Sequence, residues 1–194
     1  AEVRPDVLVS GGGIAGMHAA LTDANAGRRV YLVEREFSIG GQMARYDKTF
    51  PTLDCSLCIQ APRMTAVRTH PNITLWTGSV VEEVAGHVGD YLERIRRRAR
   101  YVREDLCVGC LQCVDAFSYD GALIPDEFNM GLSSRKPVYL PFAHAVPTVV
   151  AVDPNSCLNF TRGGCDRPCA DVCGREAFDF DQTSWVETIE VGSM

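Results

Sequence analysis

The sequence predicts an α/β fold in two parts, a nucleotide-binding domain with a parallel sheet and a smaller cysteine-rich module. Two observations support this prediction. A glycine-rich turn at 11–16 separates an apolar strand from a helical stretch, and seven of the nine cysteines form two tight groups in the second half of the chain. The first pattern is typical of phosphate recognition at a helix N-terminus, and the second is typical of metal-cluster ligation.

The glycine turn stands in the setting that a dinucleotide site requires. An apolar strand at 6–10 runs through G-G-G-I-A-G into a helical stretch at 17–26. Gly11 permits the tight turn, Gly13 lets the backbone approach a pyrophosphate, and Gly16 lets the helix pack closely on the strand.

An acidic residue and a second glycine turn narrow the choice of dinucleotide. Glu34 ends a second apolar strand, 18 residues after Gly16, where a carboxylate accepts hydrogen bonds from a ribose and disfavours a 2′-phosphate. The Gly40-Gly41 pair lets backbone amides approach an extended ligand again, which favours FAD over NAD, although an ordinary surface turn is the alternative. The residues predicted to contact FAD are Gly11, Gly13, Ile14, Ala15, Gly16, Glu34, Arg35, Gly40, Gly41, Gln42, Met43 and Val81.

The first cysteine group has the spacing of an iron–sulfur ligand set. Cys107, Cys110 and Cys113 form C-x₂-C-x₂-C. In two-cluster bacterial ferredoxins the fourth cysteine of each half ligates the cluster of the other half. Cys173 is therefore the predicted fourth ligand of this [4Fe–4S] cluster.

The second cysteine group is incomplete. Cys157, Cys165 and Cys169 supply three thiolates, but Phe117 stands where the crossing cysteine is expected, and Ser118 stands where proline is usual. This set predicts a [3Fe–4S] cluster, a four-iron cluster completed by Asp, Ser or water, or a site without metal. Zinc is a further alternative, although zinc sites favour two paired C-x₂₋₄-C motifs.

Composition and charge exclude several classes of protein. The 194 residues are 46% apolar, which suffices for one ordinary core and a small additional module. The net charge of −6 argues against nucleic acid as a partner. No segment is long and apolar enough to predict a membrane span, and no signal peptide is evident. Cysteines at metal-ligand spacing predict a reducing, cytoplasmic location.

An arginine-rich stretch at 91–103 is locally basic. Its apolar residues alternate imperfectly, which predicts a strand with a solvated basic edge. The alternatives are a docking surface for an acidic partner or a contact with the flavin phosphates. The arginines concerned are Arg94, Arg96, Arg97, Arg98, Arg100 and Arg103.

Several motifs together resemble the heterodisulfide reductase family, in particular its flavin-bearing component and the homologues of that component in other electron-transfer complexes. The most specific motif is DKTFPT at 47–52 followed by DCSLC at 54–58, which generic flavoproteins lack. The resemblance extends along nearly the whole chain, to 11–16, 31–34, 38–41, 70–75, 99–102 and 145–147.

The resemblance implies a Rossmann-like FAD-binding domain of thioredoxin-reductase type, incomplete here, with an inserted α+β two-cluster ferredoxin module. The FAD domain would occupy 1–100, the module 101–182, and the return strand 183–194. Family members relay electrons between FAD and [4Fe–4S] clusters, and full-length members are expected to split electron pairs in flavin-based bifurcation. The implied partners are other subunits of such a complex, with a hydrogenase or formate dehydrogenase as donor.

Cys55 and Cys58 are candidate catalytic residues beside the flavin, together with Lys48, which could balance charge on a reduced flavin. The two cysteines could form a redox disulfide, ligate a shared cluster or pack inertly against the flavin. Two rival functions stay open for the whole chain. One is a non-catalytic module that binds a nucleotide and zinc for assembly, and the other is an NAD(P)H-dependent flavin reductase with a ferredoxin arm.

Overall fold

The computed structural model describes residues 4–119 and 122–193, and the chain divides into two compact units. Unit 1 comprises Ala1–Ala99 and Thr183–Met194, and unit 2 comprises Arg100–Gln182. The predicted domain boundaries, after residues 100 and 182, differ from this division by one residue at the first boundary and coincide with it at the second. The nature of unit 2 as a ferredoxin module stays a prediction.

Unit 1 contains a three-stranded parallel sheet in the order β1-β2-β3. Strand β1 (Val7–Ser10) pairs with β2 (Val30–Val33), which pairs with β3 (Ile73–Trp76). Helix α1 (Ile14–Asn25) connects the first two strands, and helix α2 (Ser56–Thr69) precedes the third. Because parallel strands end at the same edge, this order brings the turn after β1 beside the chain that leaves β2.

Helix α2 was not predicted from the sequence. Its apolar residues are mixed with polar ones and it contains Pro62, so its pattern is weak. The helix nevertheless buries Gln60, Met64 and Val67 on one face. Tertiary packing therefore stabilises an element that local sequence preferences leave ambiguous.

An antiparallel sheet completes unit 1, in the order β10-β5-β4. Its strands are β4 (Ser79–His87), β5 (Asp90–Arg97) and β10 (Trp185–Val191). Ile95 on β5 is fully buried and belongs to one apolar cluster with residues of the parallel sheet and β10, namely Leu8, Val33, Trp76 and Val191.

The first part of the arginine-rich stretch lies on β5, as predicted, and two of its arginines pair with acids on neighbouring strands. Arg94 contacts Glu83 at 3.0 Å, and Arg97 contacts Glu187 at 3.3 Å. Arg100 departs from the prediction of a solvated edge, because it is 4% exposed. Its side chain is buried within unit 2, where it forms an ion pair with Glu104 and donates a hydrogen bond to the Val149 carbonyl.

Unit 2 consists of short elements around a core of aliphatic and cysteine side chains. Its hairpins pair β6 (Ile124–Pro125) with β7 (Ser134–Arg135) and β8 (Val138–Tyr139) with β9 (Ala151–Val152). Three helices of four residues each follow cysteine-bearing turns: α3 (Gln112–Asp115), α4 (Leu158–Thr161) and α5 (Pro168–Asp171). Among the described residues, no helix is of sufficient length and apolar character to span a membrane.

Candidate functional site

The first glycine turn has a different constraint at each glycine. Gly11 adopts a positive φ of 102°, which side-chain-bearing residues rarely adopt. A Cβ built at Gly16 would lie 1.9 Å from the carbonyl oxygen of Gly11, so the close packing of α1 on β1 requires glycine there. Gly13 is the N-cap of α1 and meets no protein atom within 4 Å of such a Cβ. The protein therefore leaves space at Gly13, beside the N-terminus of a helix where phosphates bind favourably.

Glu34 faces the first glycine turn from the end of β2. One of its carboxylate oxygens accepts a hydrogen bond from the Gly12 amide at 2.6 Å, and the other accepts one from the Glu36 amide at 2.8 Å. Glu34 is 7% exposed. The carboxylate thus holds the turn in place, and it retains further acceptor positions for a ribose hydroxyl.

The second glycine turn lies directly against the first. The Gly40 amide donates a hydrogen bond to the Gly12 carbonyl at 2.8 Å. Gly41 has a φ of 55°, and a Cβ built on it would lie 3.0 Å from the Gly13 Cα atom. The structure therefore brings together two turns that are far apart in sequence, with glycine required where they meet.

Sequence reasoning missed two buried residues of α2, Ser56 and Gln60, and Gln60 supports this arrangement. The Gln60 side-chain amide donates a hydrogen bond to the Gly40 carbonyl. The Gln60 Oε1 atom and the Ser56 Oγ atom, one helical turn apart, are buried and have no hydrogen-bond partner among the described residues. Unsatisfied buried polar atoms beside a glycine turn fit a site that receives a polar ligand such as FAD. Sequence reasoning missed these residues because it did not predict α2, and only a helix places positions 56 and 60 on one face.

The other residues predicted to contact FAD are distributed more widely. Ile14 and Ala15 form the first turn of α1, and the side chain of Arg35 is largely exposed. Gln42 and Met43 lie in a 3₁₀ helix that follows the second glycine turn. Val81 lies on β4 and packs against the apolar cluster around Ile95, and its contact with FAD stays a prediction.

Cys55 and Cys58 form a disulfide at the N-terminus of α2. The Cys58 amide donates a hydrogen bond to the Cys55 sulfur at 3.1 Å, and both cysteines are exposed. Lys48 pairs with Cys55 through an antiparallel backbone bridge, so these three predicted residues lie together. Of the three roles considered, the disulfide form is the one observed, and its redox activity stays a prediction.

The seven cysteines of unit 2 are free thiols, and five of them, Cys107, Cys113, Cys157, Cys169 and Cys173, pack in one core. Burial raises the pKa of the Cys113 thiol to about 11. The neighbouring thiols of Cys107, Cys110 and Cys173 raise it as well. These four residues are the predicted ligands of the first cluster.

In the predicted second cysteine set, burial and neighbouring thiols also raise the pKa of a buried cysteine. Burial raises the pKa of the Cys169 thiol to about 12, with further contributions from Cys157 and Cys165. Cys113 also contributes, in keeping with the packing of α3 against α5. The described residues contain no group of three or more His, Cys, Asp or Glu side chains arranged around a single metal ion.

Arg100 is a buried cation beside the first cysteine set. Its guanidinium contacts Glu104 at 3.1 Å and donates a hydrogen bond to the Val149 carbonyl at 3.0 Å. Burial lowers its pKa, and it also interacts electrostatically with Cys107. A buried positive charge near thiolates stabilises the negative charge that a ligand set carries. The sequence offered no signal for this role, because Arg100 stands in a run of exposed arginines.

Residues 6–107 match the family of FAD dependent oxidoreductases. A protein of Archaeoglobus profundus, named as similar to the A-type component of heterodisulfide reductase, is 52% identical over 157 residues, covering 81% of this chain and 22% of that protein. The A-type iron-sulfur component of CoB–CoM heterodisulfide reductase from Methanocaldococcus jannaschii is 43% identical over 193 residues, covering 100% of this chain and 28% of that protein. The chain thus spans about a quarter of the length of these curated relatives.

Among solved structures, thioredoxin reductase of Lactococcus lactis is similar with a TM-score of 0.40 and 21% identity, covering 46% of this chain and 30% of that chain. A TM-score of this size does not establish a shared fold, so the assignment rests on the sequence matches. The chain belongs to the FAD-dependent oxidoreductase family, and its predicted resemblance to the flavin-bearing, A-type component of heterodisulfide reductases is confirmed.

Proposed function

We propose that this chain is the flavin and iron–sulfur segment of an electron-transfer subunit in a heterodisulfide-reductase-like complex. The observation that carries the proposal is the packing of Cys107, Cys113, Cys157, Cys169 and Cys173 in one core of unit 2, in a chain whose first unit joins two glycine turns. Electrons would pass between FAD in unit 1 and clusters in unit 2.

The residues of unit 1 would bind FAD through backbone groups. Gly13 and the first turn of α1 would receive the pyrophosphate, because the space above Gly13 is open to a ligand and no side chain caps the helix. Glu34 would accept a hydrogen bond from the ribose while it holds Gly12. When bound, FAD supplies both two-electron and one-electron transfer.

The residues of unit 2 would ligate iron. Cys107, Cys110, Cys113 and Cys173 would hold a [4Fe–4S] cluster, which transfers single electrons. Burial of Cys113 would keep water from that side of the cluster, and the Arg100 cation would stabilise its negative charge.

The relatives are named as components of heterodisulfide reductases, which supports other subunits as partners of this chain. The proposal has three further parts. The electron donor would be a hydrogenase or a formate dehydrogenase, the flavin would carry out bifurcation, and the protein would be cytoplasmic. Reducing conditions suit the seven free thiols of unit 2, since exposed thiols are readily oxidised elsewhere.

The test is the iron and flavin content of protein purified without oxygen. Replacing both Cys107 and Cys110 with serine is expected to remove about four irons per chain and to leave FAD bound, because each four-iron cluster needs its thiolates. Cys58→Ser is the matched control, since it removes a cysteine outside both sets and is expected to keep all the iron. Zinc in place of iron would contradict the proposal and favour an assembly module, and flavin reduction by NADH would favour a nicotinamide-dependent reductase.

A further inference from the structure

The two cysteine-bearing halves of unit 2 share a backbone pattern. The Cys107 amide donates a hydrogen bond to the Arg103 carbonyl at 3.0 Å, and the Cys157 amide donates one to the Asp153 carbonyl at 2.9 Å. Each half therefore presents a cysteine at the end of the same kind of turn, four residues after the accepting carbonyl.

The equivalence continues into the short helices. Leu111 precedes α3 with a φ of 65°, and Arg167 precedes α5 with a φ of 54°. Such left-handed residues without glycine are uncommon, so their recurrence marks corresponding positions. Cys113 is the second residue of α3, and Cys169 is the second residue of α5.

This correspondence locates the position of the missing fourth ligand. Cys173 follows Cys169 by four residues and packs in the same core as Cys113, in keeping with its predicted crossing to the opposite set. The residue that follows Cys113 by four is Phe117. By the equivalence of the halves, Phe117 occupies the position from which a cysteine would cross to the second set.

One acid that interacts with the second set is already engaged. Asp153 interacts electrostatically with Cys157, but one of its oxygens contacts Arg135 at 3.1 Å and the other accepts a hydrogen bond from the Asn155 amide at 2.9 Å. Ser118, beside Phe117, is exposed.

We propose that the second cysteine set of unit 2 holds a [3Fe–4S] cluster, with Phe117 filling the corner from which the fourth ligand is missing. This inference rests on the proposed function. Three thiolates satisfy one coordination position on each of three irons. A fourth iron would need water or hydroxide at that corner, whereas Phe117, which is buried, brings neither a ligand nor a hydrogen-bond partner for water to the corresponding position of the first half.

The inference is tested by iron analysis, Mössbauer spectroscopy and electron paramagnetic resonance of the 194-residue chain, purified without oxygen. The expected result is about seven irons per chain and the paramagnetic signal of an oxidised three-iron cluster. Phe117→Cys is expected to raise the content to about eight irons and to abolish that signal. Phe117→Leu is the matched control, which restores no ligand and is expected to keep the three-iron signal.

Three results would overturn the inference and leave the proposed function standing. They are about eight irons without a three-iron signal, about four irons, or a Phe117→Cys variant that keeps that signal unchanged. Addition of ferrous iron and reductant to the unaltered chain separates a native three-iron site from a damaged four-iron site. No iron uptake is expected, and uptake would also overturn the inference. A chain that contains no iron would overturn the proposed function itself.

Discussion

At the scale of single residues, the glycines of one motif have separable physical roles. Gly16 is required by the protein, because a Cβ there would collide with the Gly11 carbonyl oxygen. Gly13 is free of such conflict, so the fold itself would accept a side chain at this position. The motif therefore contains one glycine that packing requires and one that packing does not require, which we propose to be the one kept for the ligand.

A pair of substitutions tests this separation. Gly16→Ala is expected to lower the free energy of unfolding by about 1–3 kcal/mol, because backbone must move to relieve the overlap. Gly13→Ser is expected to leave that free energy nearly unchanged, since serine is a good N-cap, and to weaken FAD binding by about tenfold or more. Urea unfolding of the flavin-free protein and fluorescence titration with FAD measure the two effects. Equal loss of stability in both variants would contradict the assignment.

At the scale of elements, strand β5 carries a buried carboxylate in an otherwise regular alternation. Glu93 lies opposite Ile189 on β10 and Val84 on β4, and it is completely buried. Neither of its carboxylate oxygens has a hydrogen-bond partner among the described residues. Burial raises the pKa of Glu93 above its ordinary value of 4.5.

The raised pKa has a defined effect on stability. The folded chain binds the proton of Glu93 more tightly than the unfolded chain does. Below the ordinary pKa, Glu93 is protonated in both states and does not reduce the free energy of unfolding. As the pH rises through the pKa of Glu93 in the folded chain, ionisation of the buried carboxyl lowers that free energy. Glu93→Met is expected to increase the free energy of unfolding by about 1–3 kcal/mol at neutral pH, and by less near the ordinary carboxyl pKa.

Urea unfolding at the two pH values measures the gain. Glu83→Met is the matched control, because it removes the same charge from an exposed side chain of the same sheet. Its expected effect is within about 0.5 kcal/mol at either pH. A gain from Glu93→Met that does not depend on pH would contradict the role assigned to the buried charge.

At the scale of the whole molecule, the two units have cores of different chemistry. The core of unit 1 contains aliphatic and aromatic side chains such as Leu8, Ile95 and Trp76. The core of unit 2 contains Cys113, Cys157 and Cys169 among its buried residues. Because the proposed cluster ligands form part of that core, binding of iron would add to the folding stability of unit 2.

Removal of iron is therefore expected to destabilise unit 2 selectively. Chelation should accelerate hydrogen exchange at the Val152 amide, which donates to the Arg100 carbonyl, and should leave the Val30 amide of β2 protected. Hydrogen exchange followed by mass spectrometry before and after chelation measures the difference. Unchanged exchange in unit 2 would contradict a structural role for the clusters.

The sequence determined the features that depend on local spacing. The first two parallel strands follow from short apolar runs, and the glycine turn follows from positions that only glycine can occupy. The three cysteines within 107–113 are close in sequence and so necessarily share a loop. These features need no knowledge of distant residues, and for that reason spacing alone predicts them.

Only the tertiary structure decided the features that depend on distant contacts. It joined the Gly40 turn to Gly12, formed α2 despite its weak pattern, and buried Arg100 and Glu93 within stretches that read as exposed. It also separated the Gly13 and Gly16 roles, since a collision with a carbonyl cannot be read from spacing. The physical reason is that burial and hydrogen-bond pairing are set by residues far along the chain, whereas turn geometry and ligand spacing are set by neighbours.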